Sequence, residues 1–286
     1  MKLSIITINY NNAEGLRKTL ASVAAQTYSN IEHIIVDGAS TDGSVEVIRE
    51  YENQLNITHS TIHLLWSSEP DNGIYDAMNR GIRKAKGEYT LMLNSGDYLV
   101  NNSVVEKVIP LLDGTDIIQG NIIEEYPDEV IRNRGYGKSD IDFFDVMNGH
   151  FLHQASFIHI DTLKKYGYYD ESYKKGADTY FYITTLALGH ASFKYVDVDV
   201  ANFDVNGISN MQDPKWVQID KEEDARWYGE HISMRLMSLC HTAPKKIRLY
   251  DTLHRHKLIW YITMILVRLS LWITPMPQKV KLEKLK

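Results

Sequence analysis

Four short stretches gather the amide, hydroxyl and carboxylate side chains that could hold a ligand. They are "NYNN" from Asn9, "DGASTDG" from Asp37, "SEPDNG" from Ser68 and "NSGD" from Asn94. Each alone is ordinary turn chemistry, because Asn, Asp, Gly and Ser are what turns are made of. Together they offer carboxylates and amides in place of phosphate-cradling glycines. No G-x-G-x-x-G follows the first apolar run, and no G-x-x-x-x-G-K-[ST] occurs anywhere. An acidic rim repels a phosphate unless a divalent cation lies between them, and hard oxygens are what Mg²⁺ or Mn²⁺ prefers. Further along, "YDESYKKGADTYFYITTLALG" puts Asp178 at the head of a segment with helical spacing that runs to Leu188. An Asp at a helix start is a good N-cap, and it is also a carboxylate available for proton transfer. His150, His153 and His159 sit near Gln154 at spacings of three and six, which match no tight zinc motif.

The elements that must position these clusters are legible as periodicity. Leu3 to Ile8, Ile34 to Val36, Ile62 to Trp66 and Tyr89 to Leu93 are short apolar runs of strand type. Between them lie three amphipathic segments: one through Leu16, Leu20 and Val23, one around Val45 to Tyr51, and Tyr75 to Lys86, with Gly87 placed to cap the third. Such alternation predicts a mostly parallel sheet with helices on both faces. Ligands bind outside the carboxyl ends of strands in sheets of this kind, and all four polar clusters follow a strand. "NSGD" itself could be a hairpin turn into a second strand or part of that rim.

The whole chain sets further bounds. Its 286 residues are 44% apolar and 24% charged, as globular domains are. The single cysteine, Cys240, excludes an intrachain disulfide and favours a reducing compartment. The amino-terminal apolar run is too short for a signal peptide, and no uncharged apolar stretch reaches spanning length. The body therefore reads as cytoplasmic. From His241 onward ten Lys and Arg face two acidic residues, a net of +8, which leaves −14 for the first 240 residues. An acidic body argues against gripping nucleic acid.

Lys215 to Cys240 reads as a helix, and Leu258 to Pro275 is apolar apart from Arg268 and a few hydroxyls, with lysines beyond it. A helix lying in the interface of the inner face of the cell membrane has this make-up. Packing onto the body or onto a second subunit is the alternative. The expected division is a catalytic domain over 1–209 and a helical extension over 210–286, with membrane contact through 258–286.

The ordered set "SIITINYN", "VDGASTDGS", "SEPDNGIYDAMNRGIRKAKGEY", "LNSGD", "HQASFI" and "YGYYDESYKKGADTYF" resembles the family-2 inverting glycosyltransferases of the GT-A fold, over roughly Leu3 to Ser209. It is most similar to the subgroup with Asn-Ser-Gly-Asp in place of the usual Asp-x-Asp. The resemblance implies a UDP-sugar or other nucleotide-sugar donor, Mn²⁺ or Mg²⁺, and a glycan or lipid-linked glycan acceptor. It implies a hexosyl- or N-acetylhexosaminyl-transferase.

Matched position by position, Thr7 and Tyr10 border the base and Asp37 accepts hydrogen bonds from the uracil or ribose. Asp71 contacts the nucleotide or makes an ordinary turn. Asp97 is the ligand for metal and diphosphate, with Asn94 as its neutral neighbour, and Asp178 is the general base. Asp170 and Glu171 resemble a family turn on the acceptor side.

The chain departs from the family pattern in three places. Ala77-Met78-Asn79 lacks the arginine often found near the diphosphate, "NSGD" keeps one carboxylate where two are common, and "FDVNGIS" supplies no metal-binding histidine. A nucleotidyltransferase of the same fold would want a basic glycine-rich loop after the first strand, which is absent. A non-catalytic nucleotide-sugar-binding module is the reading of a different class.

Overall fold

A computed structural model describes residues 1–147, 149, 151–205 and 213–231. The chain divides into two compact units, Met1–Ser233 and Met234–Lys286. All described residues belong to the first; the apolar segment 258–275 and the basic tail lie outside them, as does His150. Among the described residues no helix is long and apolar enough to cross a membrane.

The first half builds the predicted parallel layer. Strands β1 (Leu3–Asn9), β2 (Ile31–Asp37), β3 (His63–Ser68) and β4 (Tyr89–Met92) lie in the order β3-β2-β1-β4, every pair parallel. β1 and β2 are buried along their whole length, which is why they read as continuous apolar runs. Helices α1 (Ala13–Ala24) and α2 (Ser44–Ile57) pack Leu16, Leu20, Val23, Ile48 and Tyr51 with Leu3, Ile5, Ile31 and Ile35. Alternate strand residues face the other side, where α3 (Ile74–Lys84) lies against β1 and β2.

Gly87 does not cap α3. That helix ends at Ala85 in extended geometry, and Gly87 is needed for a close approach: a Cβ there would stand 2.6 Å from the Ser4 backbone nitrogen.

Beyond β4 the sheet turns mixed. β5 (Tyr98–Leu99) does not form a hairpin with β4. It pairs antiparallel with β9 (Phe193–Phe203), with Tyr98 opposite Asn202. β8 (Ser156–His159) pairs antiparallel with β4 and with the first half of β6 (Ile117–Glu125); β7 (Val130–Asn133) continues along that same edge of β6 in antiparallel, and β9 runs parallel along the other edge. The short helices α4 (Val104–Val108), α5 (Phe143–Met147) and α6 (Ile160–Tyr166) connect these strands. α7 (Ala177–Tyr182) continues as a π-helical segment to Leu188, and α8 (Pro214–His231) follows β9.

Candidate active site

A cleft of about 730 Å³ opens along the carboxyl ends of the parallel strands. All four polar clusters reach it, through Asn9, Tyr10 and Asn12, then Gly38, then Asp71 and Gly73, then Asn94, Ser95 and Asp97. The mixed half closes the opposite side with His153, Gln154, Lys175, Asp178 and Asp204. Chain order makes this rim, because parallel strands joined by right-handed crossovers all end on the same edge.

Of the residues expected at the base, Tyr10 lines the cleft and is 68% exposed. Asp71 also lines it, and accepts the Gly73 backbone N–H at 3.0 Å, so it is both turn and wall. Thr7 and Asp37 are placed differently.

Thr7 is fully buried and is not among the cleft-lining residues. Its hydroxyl donates to the Leu93 carbonyl at 2.8 Å, which leaves its lone pairs to accept from His33 Nε2 at 3.0 Å. His33 Nδ1 then accepts from the Tyr51 hydroxyl at 2.9 Å. Thr7 therefore ties β1 to β4 and β2 inside the core.

Asp37 is also fully buried, and its carboxylate already accepts from Asn9 Nδ2 (2.7 Å), the Ser40 N–H (2.9 Å), Ser40 Oγ (2.6 Å) and Ser68 Oγ (2.6 Å). It pins three of the rim segments together from below, and Gly38 is the neighbour that meets the cleft.

"NSGD" is a turn on the rim. Gly96 adopts φ +108°, and a Cβ there would come within 2.7 Å of Asp204 Oδ2, so this corner accepts only glycine. Asp97 is 4% exposed, and burial pushes its carboxyl up to about 7. Three groups pull the other way: the Asp204 N–H donating to its Oδ1 at 2.9 Å, the charge of His153, and Gln154. Asp204 belongs to "FDVNGIS", the stretch in which the family pattern suggests a histidine. The β5–β9 pairing brings it to Asp97, so a second carboxylate stands beside the first.

Asn94 lines the cleft with its Oδ1 buried and without a hydrogen-bond partner, and its Nδ2 lies 3.4 Å from His153 Nε2. Among the described residues no group of three or more His, Cys, Asp or Glu is arranged to hold a metal alone. Two carboxylates with an unsatisfied amide oxygen nearby are nevertheless the hard-oxygen donors that suit Mg²⁺ or Mn²⁺ when ligand oxygens complete the shell.

Asp178 is not a helix cap. The cap position of α7 is Gly176, and no side chain caps that end. The carboxylate faces the cleft, held at Oδ1 by the Tyr75 hydroxyl (2.9 Å) and at Oδ2 by His153 Nδ1 (3.1 Å). Burial raises its carboxyl, but the hydrogen bond and charge of His153, with Tyr75, outweigh burial and leave it lowered. Burial likewise lowers His153, and its bond to Asp178 with the charges of Asp178 and Asp97 reverses the sign to a net rise. Both shifts follow from the pairing of His153 Nδ1–H with the Asp178 carboxylate.

His159 is elsewhere, accepting the Asp161 N–H at the start of α6 and packing on Tyr89. The acceptor-side turn is anchored through Asn79, which bonds both backbone groups of Tyr169 and the Glu171 carboxylate, while Asp170 accepts the Ser172 N–H.

The model of the Glycosyl transferase family 2 matches residues 4–193. An uncharacterized glycosyltransferase of Mycobacterium tuberculosis is 31% identical over 231 residues, covering 75% of this chain and 79% of its own. The structure is similar to S. aureus TarS 1–349 in complex with UDP, with TM-score 0.59 and 18% identity over 84% of this chain and 74% of that one. Against a longer TarS chain it spans 44% of that chain. The mannosyltransferase PcManGT from Pyrobaculum calidifontis, in complex with GDP-Man and Mn²⁺, aligns with TM-score 0.61 and 17% identity over 85% of this chain and 68% of that one. These likenesses give the fold as GT-A-like.

Proposed function

This chain belongs to glycosyl transferase family 2, and we propose that it moves a hexosyl or N-acetylhexosaminyl group from a UDP-sugar to a hydroxyl of a lipid-linked or polysaccharide acceptor. The reading rests on one observation above all. Asp178 stands in the cleft wall, held at both oxygens by Tyr75 and His153, on the opposite side from the strand-end rim. In an inverting transfer the acceptor oxygen attacks the anomeric carbon and its proton passes to Asp178. The bond from that carbon to the diphosphate breaks, and its electron pair leaves with UDP. Tyr75 and His153 restrict the carboxylate to one orientation, so the proton is collected without a search for geometry.

Tyr10 offers an exposed ring and Asp71 an acceptor oxygen on the nucleotide side. Asp97 and Asp204 would hold a divalent cation, with Asn94 beside them. Such an ion, when bound, offsets the charge that develops on the diphosphate. The presence of Mn²⁺ in the PcManGT complex supports this reading.

We place the protein at the inner membrane face on its sequence alone, through the apolar, lysine-flanked segment 258–286. Removing that segment should release the protein from anionic liposomes and spare UDP binding.

Screening UDP-sugars for slow hydrolysis, beside calorimetric titration of UDP with and without Mn²⁺, tests the central reading. UDP binding with no donor hydrolysed and no acceptor glycosylated would make the chain a binding module.

A further inference from the structure

The family match ends at residue 193, yet one face of α8 grips the segment that carries Asp178. Asp220, Glu223, Asp224 and Trp227 follow the i, i+3, i+4, i+7 spacing of a single helix face. Every one of them engages residues 174–180. Asp220 pairs with the Lys175 ammonium, and Asp224 accepts from the Tyr180 hydroxyl at 2.9 Å. Trp227 stacks on the Tyr180 ring, with centroids 5.4 Å apart and planes 6° from parallel. Glu223 is 9% exposed and accepts three consecutive backbone N–H groups, from Lys174, from Lys175 at 3.1 Å and from Gly176 at 3.0 Å. A helix presenting a mainly polar stripe to its own domain is unusual, and here the stripe is matched group for group.

The Lys175 peptide is the link to the base. Its N–H is held by Glu223, and its carbonyl shares the single proton of the Tyr75 hydroxyl with Asp178 Oδ1, which lies 2.9 Å from that hydroxyl. Asp178 follows only three residues later. We infer that Glu223 is a positioning residue for Asp178: by clamping the Lys174–Gly176 backbone it fixes Tyr75 and the base relative to the cleft. The catalytic unit then extends past the family segment to include α8.

This inference rests on the reading of Asp178 as the base. Removing the Glu223 carboxylate leaves three part-buried N–H groups without their acceptor, and the loop must shift to rehydrate them. A displacement of about 1 Å near a reacting group can cost a factor of roughly 10².

The test uses the full chain with a UDP-sugar that the wild type transfers. Glu223→Ala should lower kcat about 10- to 100-fold while KM for the donor and Kd for UDP change by less than about threefold. Glu223→Gln keeps one carbonyl oxygen for these donors and should recover much of the loss. Leu55→Ala, a core truncation near the far end of α2, should lower thermal stability and leave kcat unchanged.

Wild-type kcat in Glu223→Ala overturns the inference, as does a parallel fall in UDP affinity, or an equal kcat loss in Leu55→Ala. If Glu223→Ala does not fold, Glu223→Asp, which draws the carboxylate back by one methylene, decides in its place: a reduced kcat at unchanged UDP affinity supports the clamp, and an unchanged kcat removes it. Asp178→Asn run alongside separates the two claims. Full transfer by that variant sinks the base assignment, whereas its inactivity beside a fully active Glu223→Ala sinks only the clamp.

Discussion

The two sides of the cleft are held by different means. On the side of β1 to β4, rim side chains are fixed by short-range turns and by bonds between adjacent strand ends. Asp71 accepts from a residue two positions on, and Asp37 accepts from its own loop and from the ends of the neighbouring strands. On the other side, contacts span long stretches of chain. Tyr75 meets Asp178, His153 meets both Asp178 and Asn94, Asp97 meets Asp204, and Glu223 meets Lys175. The first side can form as soon as its strands align. The second depends on β9 and α8 arriving, so its geometry is more vulnerable to substitutions at a distance.

The sharpest way to divide the sides is Asp178→Asn. The amide keeps the size and can still bond Tyr75, but it takes no proton. Turnover should fall by a factor on the order of 10² to 10⁴ with UDP affinity unchanged. Loss of UDP binding in that variant would mean that the two sides are not separable.

Asp97→Ala strikes where the sides meet. It should weaken UDP binding in the presence of Mn²⁺ by about 10- to 100-fold, comparable with or larger than the loss of an outer-shell metal partner. In EDTA the same substitution should make little difference to UDP binding. Activity that survives EDTA, together with unchanged UDP affinity in the variant, would remove the cation from the proposal.

The same division decides what could be read in the sequence. Strands β1 to β4 and their shared rim are legible because apolar runs alternating with amphipathic helices admit few topologies. Tyr10, Asp71 and Asn94 accordingly stand in the cleft. Thr7 and Asp37 do not, because a motif position cannot tell whether a rim consumes a side chain internally or presents it. Asp204 is hidden for another reason. Nothing local marks it, and only the register of β9 against β5 brings it to Asp97. A search of "FDVNGIS" for any hard oxygen donor, and not for histidine alone, is the signal that finds it. His153 and Glu223 carry no such signal, since their partners lie 25 positions away at the nearest and 59 at the farthest.

The interior of the first side should show itself in acid. Burial lowers the pKa of His33 from 6.5 to about 3, so the folded protein keeps it neutral. The unfolded chain binds that proton as the pH falls below about 6.5, while the folded chain does not. Stability contributed by neutral His33 is therefore present above pH 6.5 and declines toward pH 3, by up to about 1.4 kcal/mol per pH unit. Denaturant midpoints of the wild type and His33→Gln should diverge near neutrality and converge in acid. Parallel curves across that range would mean that His33 protonates in place.

The smallest effect on function is expected at Thr7, where the matched motif and the structure point to different roles. Thr7→Val keeps the shape but removes the proton that satisfies the Leu93 carbonyl and the acceptor that faces His33. Both groups are buried, so unfolding free energy should fall by about 1 to 3 kcal/mol. Thr7 touches the core and not the cleft, and UDP affinity should stay within about twofold of the wild type, the tolerance usual for sites without shared partners. Thermal melts with and without UDP measure both quantities in one experiment. The apo melt should drop while the UDP-induced rise in midpoint is preserved. A variant with wild-type stability and a lost UDP response would return Thr7 to the nucleotide, and the buried hydrogen-bond chain from Leu93 to Tyr51 would then have to rearrange when donor binds.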